Sequence, residues 1–243
     1  MDRPVRIGLL GAGAVAQTAH LPAFRRLRNA ELVAICDSEG GKLRALRERT
    51  GVVHATTSLD EMLALDELDA VDICLPSNQH AAAAVRCLEA GKHVLCEKPL
   101  GLTAREVEDV LAARDRSGKH VLVGMNNRYR DDSILLRRFI QDGQLGEVFR
   151  ARAGWLKRRT KVKPGAWQYA AAMSGGGVVM DLGIQLAQQL ALGHPDFFYR
   201  VIHFQQVVAR KPEGLEQNRR RHLSPAVDPD VQDVARIELE IQP

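Results

Sequence analysis

The feature that most constrains this chain is a glycine-rich turn set between two different periodicities. An apolar run, Val5–Leu10, leads directly into Gly11-Ala12-Gly13-Ala14-Val15-Ala16, and helical spacing follows over Val15–Arg28. In a G-x-G-x-x-A turn the first glycine allows the tight bend and the second lets backbone approach a pyrophosphate. The small third position lets the helix lie close on the sheet. The helix start then aims unpaired N–H groups at an anion. Gly11, Gly13, Ala14 and Val15 are therefore the expected phosphate-side residues. Asp37 closes the second apolar run, where an acid can accept both ribose hydroxyls of an adenosine and repels a 2′-phosphate. Ser38 and Glu39 follow, with no adjacent arginine to hold such a phosphate, so NAD is expected in preference to NADP. The plain alternative is a glycine turn with Asp37 capping a helix. It explains each residue singly, but not strand, glycines, helix and acid in this order.

The alternation continues to residue 125. Val5–Leu10, Glu31–Cys36, Ala70–Leu75, His93–Cys96 and His120–Gly124 read as strands, with helical stretches at Val15–Arg28, Gly41–Arg49, Ala81–Ala90 and Ala104–Arg116. Gly51, Gly91 and Gly118 follow as stop signals. Short strands alternating with helices imply βαβ units and a parallel sheet, which binds ligands beyond its carboxyl edge. The expected fold is α/β, with an N-terminal Rossmann domain over residues 1–125. From residue 126 the pattern changes. Asp131–Asp142 reads as a helix, and Glu147–Lys157, Tyr199–Arg210 and Val231–Ile241 read as longer strands, with a helix at Gly177–Leu192. A second α/β domain over 126–243, with a mostly antiparallel open sheet, is expected.

Composition narrows the classes. Hydrophobic residues make up 45% and charged residues 26% of 243, enough to fill a core and too ordered a mixture for a disordered chain. No apolar run approaches the ~18 residues of a membrane helix. Lys and Arg number 34 against 30 acids, an excess of +4 that is too thin for a nucleic-acid surface. The short run Arg219-Arg220-Arg221-His222 falls in a proline-bearing stretch, Pro212–Pro229, read as a solvated loop. Cys36, Cys74, Cys87 and Cys96 show no metal-ligand spacing, so no metal site is expected and the thiols read as buried and reduced. Arg3, Arg6 and the stretch Ile7–Ala16 superficially copy a secretory signal. Its glycines and its continuation into a helix favour a structural strand and a cytoplasmic protein.

Two further strand ends should open on the crevice. One carries Pro76, Asn78 and His80; the other carries Glu97-Lys98-Pro99. These residues, with Glu97 and Lys98 themselves, complete the expected cofactor set. A lysine at a buried strand end is costly without partners, and partial desolvation favours loss of its proton. Pro99 can take a cis bond that would direct Lys98. A surface lysine in a turn is the alternative reading. On the Gly177–Leu192 helix, Asp181, Gln185 and Gln188 share one stripe by spacing, opposite Val178, Leu182, Leu186 and Leu190.

These segments resemble the Gfo/Idh/MocA oxidoreductases, relatives of glucose-fructose oxidoreductase and inositol dehydrogenase. The resemblance rests on Gly11–Ala16, Pro76–His80 and, most specifically, Ala90-Gly91-Lys92-His93-Val94-Leu95-Cys96-Glu97-Lys98-Pro99-Leu100. It continues through Gly124–Tyr129, Gly143–Val148 and Ser174–Gly183, with a last echo at Val231-Gln232-Asp233. It implies oxidation or reduction of a hydroxyl-bearing carbon on a sugar-like or cyclic polyol. It further implies that Lys98 touches the reacting oxygen and that the second domain's open sheet makes a homo-oligomer.

The family usually carries histidine at 185 and often aspartate at 188, where this chain has Gln185 and Gln188. An amide binds a hydroxyl but does not exchange its proton near neutrality. The expected roles are then Lys98 as proton-exchanging group, Asp181 as its orienter and Gln185 as hydroxyl ligand. His80 and His194 are substitute bases by position, though His80 equally suits a helix cap and His194, before Pro195, a turn. Trp155, Lys157, Arg158 and Trp167 flank an expected pocket mouth. The chain is also short for the family, which leaves Val231–Ile241 as an edge strand. That shortness and Gln185 together motivate the alternative of a catalytically degraded, dinucleotide-binding sensor or assembly partner.

Overall fold

The fold was analysed as a computed structural model that describes residues 3–146, 148–157, 166–177, 179–185, 187 and 233–241. Six short apolar runs form one sheet: β1 (Val5–Leu10), β2 (Ala30–Cys36), β3 (His54–Thr56), β4 (Ala70–Ile73), β5 (His93–Glu97) and β6 (Val121–Gly124). All neighbours pair parallel, in the order β3-β2-β1-β4-β5-β6. This is the doubly wound order whose reversal point lies between β1 and β4, with the ligand crevice beyond it.

The connecting helices are α1 (Leu21–Phe24), α2 (Gly40–Thr50), α3 (Leu59–Leu63), α4 (His80–Glu89) and α5 (Ala104–Ser117). Thr103 opens α5 with a capping box to Glu106, and Gly51 and Gly118 close α2 and α5 in the left-handed region. Side-chain alternation splits the core across the two faces of the sheet. Leu9, Ile35 and Cys74 pack with Ala16, Leu21, Leu43 and Leu46 on one face. Val71, Ile73, Val94 and Cys96 pack with Met62, Ala84, Leu88 and Val110 on the other. All four cysteines are buried and free.

Most element ends fall within two residues of expectation, with one larger boundary change and two further elements. The first helix stops at Phe24, short of Arg28, and begins with a wide π-type turn over Ala16–His20. The short strand β3 and the single-turn helix α3 were missed, because three and five residues carry too little periodicity to read.

By internal contacts the chain forms two units, Met1–Met125 with Pro164–Asp181, and Asn126–Lys163 with Leu182–Pro243. The first therefore takes back the segment holding α7 (Ala171–Ser174) and Asp181. In the second, α6 (Asp131–Gln141) precedes β7 (Val148–Lys157), which pairs antiparallel with β8 (Asp233–Ile241). The expected strand Tyr199–Arg210, the loop Pro212–Pro229, Arg158, Gln188 and His194 lie outside the described residues. Among the described residues, no helix is long and apolar enough to cross a membrane.

Candidate active site

The glycine turn at the end of β1 is built as a cradle. Gly11 takes φ +88°, and a Cβ there would sit 2.8 Å from the Cys74 carbonyl oxygen, so β1 and β4 meet only because this residue lacks a side chain. A Cβ on Gly13 would meet nothing within 4 Å, which leaves the outer side of the turn open. Ala16 is fully buried under the helix, while Ala14 and Val15 are exposed at its start. First-turn amides have no acceptor inside their own helix, so this opening offers donors to an anion.

Asp37 lies beside the turn. Its Oδ2 accepts the Ala12 N–H at 2.7 Å and its Oδ1 accepts the Glu39 N–H at 2.9 Å. Lys42 Nζ reaches both oxygens, at 3.1 and 3.3 Å, and also donates to Glu39. Burial alone would raise the Asp37 pKa, but the hydrogen bonds from Ala12, Glu39 and Lys42 outweigh it and hold the carboxyl below its ordinary value. No arginine adjoins Asp37 in sequence, but the structure brings in a cation, Lys42, from one helical turn further on. A lysine on the first turn after a ribose-level acid is a signal available to spacing. An open turn with free amides and an ionised acid fits a dinucleotide.

Lys98 leaves the end of β5 through a cis Lys98–Pro99 peptide. Its ammonium donates to Asp181 Oδ1 at 2.5 Å and to the Asp181 carbonyl at 2.8 Å. Two of its three N–H groups are thus committed. Its side chain is 15% exposed against 64% for Asp181, so it is a partnered group and the free surface lysine is set aside.

Beside it, Glu97 Oε2 accepts the Lys98 backbone N–H at 3.2 Å and Glu97 Oε1 faces His20 Nε2 at 3.0 Å. His20 Nδ1 lies 2.7 Å from Asp72 Oδ2. Hydrogen bonds to Asp72 first, then Cys74 and Glu97, raise the His20 pKa to about 12 despite burial. Burial raises Asp72, and the contact with His20 only partly offsets it. Burial would also raise Glu97, but His20 and the Lys98 amide hold it below its usual range. Neither His20 nor Asp72 was singled out from sequence. An acid inside the apolar run of a central strand was the available sign, because a buried charge requires a partner.

His80 is the first residue of α4, after the cap position, and is turned into the fold. It is 1% exposed. Its Nδ1 lies 2.6 Å from the Pro99 carbonyl and its Nε2 lies 2.8 Å from the Leu75 carbonyl. Both ring nitrogens thus face carbonyls of the β4 and β5 end loops, and the ring ties these loops together. Ser77 and Gln79 flank Asn78 in the short 3-10 turn after Pro76.

The expected stripe on the later helix is also divided. Asp181 is exposed whereas Gln185 is 7% exposed. Val179–Gly183 takes a π-type turn, which still keeps a spacing of four near one face, so the two residues differ by their surroundings and not by their spacing. Within the second unit, Gln185 Oε1 accepts Asn127 Nδ2 at 2.8 Å, and its Nε2 faces Asn126 Oδ1 at 3.4 Å. Trp167 is half-buried in a short 3-10 turn.

A doubly wound sheet with a glycine turn at its reversal point and an acid closing the next strand is the arrangement of a dinucleotide-binding fold. The family model of the oxidoreductases with an NAD-binding Rossmann fold, GFO_IDH_MocA, matches residues 5–125, and that of the GFO/IDH/MocA C-terminal domain matches 134–209. The chain belongs to the Gfo/Idh/MocA oxidoreductase family. It is 31% identical over 194 residues to D-glucoside 3-dehydrogenase of Escherichia coli, covering 79% of this chain and 55% of that protein. To the inositol 2-dehydrogenase of Rhizobium meliloti it is 35% identical over 144 residues, 59% of this chain and 43% of the relative. Its fold is similar to an aldose-aldose oxidoreductase from Caulobacter crescentus complexed with glycerol, with a TM-score of 0.73 at 27% identity over 78% of this chain and 57% of that one. A 3-ketoreductase from Actinomadura kijaniata, in complex with TDP-benzene and NADP, gives 0.71 at 27% over 79% and 57%. The chain spans about half the length of the curated relatives it matches.

Proposed function

We propose that this protein is an NAD-dependent oxidoreductase acting on a hydroxyl-bearing carbon of a sugar-like or cyclic polyol. The observation that carries the reading is the Lys98 ammonium, seated at the carboxyl edge of a dinucleotide-binding sheet with two N–H groups on Asp181 and one left over. A bound nicotinamide would accept or supply the hydride. The turn residues Gly11, Gly13, Ala14 and Val15 hold the pyrophosphate, Asp37 the adenosine ribose, and Pro76, Asn78 and Glu97 the neighbouring crevice.

Lys98 directs its free N–H at the substrate oxygen and exchanges a proton there through Nζ. Asp181 orients the ammonium and pairs its charge, and when the proton is given up the carboxylate, 64% exposed, is left to water. Gln185 keeps a hydrogen-bonding role through Nε2, whose present contact is long. Relatives named as inositol and glucoside dehydrogenases support the substrate class. Residues 1–125 and 126–243 are the proposed functional domains, the protein is proposed to form homo-oligomers, and its proposed place is the cytoplasm.

The test is binding of NADH by calorimetry, then turnover of a polyol and sugar panel with NAD and NADP. Lys98→Ala should lower turnover by ~10²–10⁴-fold, the usual contribution of a positioned acid–base group. Failure of the unaltered protein to bind NADH removes the reading altogether. One observation favours a second reading: Gln185 has no exchangeable proton near neutrality and its carbonyl is already taken by Asn127. A protein that binds NADH but turns over no panel member, and gains activity through Gln185→His, is the catalytically degraded sensor or assembly partner.

A further inference from the structure

On the sheet face opposite α4 and α5 lies a charged group that the proposed reaction leaves unused. Alternation along β4 sends Asp72 and Cys74 to one face, and the register partner of Asp72 on β5 is Leu95, which shares its face with Glu97. His20 comes down on that face from the turn after β1. Its two ring nitrogens meet two carboxylates, Asp72 at 2.7 Å and Glu97 at 3.0 Å. A neutral imidazole has one N–H, so the doubly protonated ring donates to both carboxylates, whereas a neutral ring meets both only when one carboxyl carries the proton.

Two simpler accounts fall short. His20, Asp72 and Cys74 present ligand atoms within 4.8 Å of one another, as a metal site would. Both imidazole nitrogens, however, are already bonded to carboxylates, so neither is free to ligate. Stability alone is a poor reason for a buried ion triad, because well-packed apolar side chains of the same volume serve as well or better.

What distinguishes this triad is where it ends. Glu97 uses one oxygen for His20 and the other for the backbone N–H of Lys98, at 3.2 Å. Across the sheet, β6 offers Gly124, where a Cβ would lie 3.2 Å from Glu97 Oε1 and 3.4 Å from its Cα. The carboxylate is therefore gripped on one side and given room on the other.

We propose that His20 is a positioning residue for Lys98: as the cation between Asp72 and Glu97 it holds the Glu97 carboxylate, which fixes the amide from which Lys98 reaches Asp181. The proposal rests on the reading of Lys98 as the group that meets the reacting oxygen. It adds His20, Asp72 and Gly124 to the residues that determine the active site.

The experiment compares the full chain with His20→Gln, Glu97→Gln, the double variant and Gly124→Ala. Ring ¹⁵N resonances report His20. ¹³C-methylated lysine resonances report Lys98, assigned by the signal lost in Lys98→Arg. The His20 ring should keep both protons above pH 8, and each folded variant should move the Lys98 resonance. With NAD and a panel substrate, kcat of His20→Gln should fall by about 10- to 100-fold while its KM and NADH affinity stay within about twofold, as for supporting groups behind a functional residue. The double variant should lose no more than the worse single one, because both act through one carboxylate.

A His20 ring that releases a proton below pH 8 overturns the proposal. So does a folded His20→Gln protein with an unmoved Lys98 resonance, or additive losses in the double variant. An unaltered protein that binds no NADH ends the oxidoreductase reading instead, and the ring and lysine resonances still decide this one.

Discussion

Two carboxylate–cation groups stand at the carboxyl edge of one sheet, and their surroundings set them to different work. After β2, Lys42 bridges Asp37 and Glu39 with a side chain 27% exposed, and Glu39 is 70% exposed. Asp37 itself is 9% exposed and keeps two backbone donors, so water screens chiefly the Lys42 ammonium, whose contacts are worth ~0–1 kcal/mol and can rearrange when a ligand arrives. Between β4 and β5, Asp72 is wholly buried and His20 is 14% exposed, with two carboxylates around one cation. Water cannot replace a partner there, so the group stays in one arrangement. The lesson is that the accessible pair can tune which ligand is accepted, while the enclosed triad can only hold geometry.

The comparison breaks most visibly at Asp72. Asp72→Ala should cost ~3–5 kcal/mol in urea denaturation, because it strips a buried cation of a partner, whereas Lys42→Met should cost at most ~1 kcal/mol. Equal losses would mean that burial does not separate the two groups.

Next comes pH. The His20 pKa is raised to about 12 in the folded protein, so the folded ring keeps a proton that the unfolded ring sheds above its ordinary ~6.5. The stabilisation is complete below ~6.5 and declines as pH rises toward the folded value, by up to ~1.4 kcal/mol per pH unit. Burial raises the Cys36, Cys74 and Cys87 thiols to about 11, about 11 and about 12, which adds loss of the same sign only above the ordinary thiol range. Denaturation midpoints should therefore fall from pH 7 to 8.5 in the unaltered protein and in Lys42→Met, and stay flatter in His20→Gln.

Gly11→Ala probes the seam between the groups. A side chain at φ +88°, 2.8 Å from the Cys74 carbonyl, should weaken NADH binding at least tenfold in calorimetry and lower the urea midpoint.

The smallest effect concerns Lys42. Its charge offsets the repulsion that Asp37 would exert on a 2′-phosphate. Lys42→Met should weaken NADPH binding relative to NADH by about fivefold, ~1 kcal/mol, read as the ratio of their Kd values. An unchanged ratio would show that the lysine serves Asp37 and Glu39 alone.

Much of the first unit was legible because its code is local. Gly11 and Asp37 can be read where they stand, since a turn conformation and a strand end depend on a few neighbouring residues. The second unit was less so. Spacing places Asp181 and Gln185 on one stripe, yet one is exposed and the other buried, because burial is set by the groups around each side chain and not by its place along the helix. His80 illustrates another limit. A histidine at a helix start can cap, meet a ligand or tie loops, and only the carbonyls of Leu75 and Pro99 decide among these.

By itself the sequence determined that a strand enters a helix through glycine, that an acid follows at the next strand end, and that Lys98 ends a buried strand before a proline. These follow from backbone sterics and periodicity, which act over a few residues. The tertiary structure alone decided which charges meet: Lys42 on Asp37, Asp181 on Lys98 across 83 positions of chain, and His20 between Asp72 and Glu97. A buried charge takes its partner from whichever elements the sheet order brings beside it, and no local pattern encodes that neighbour.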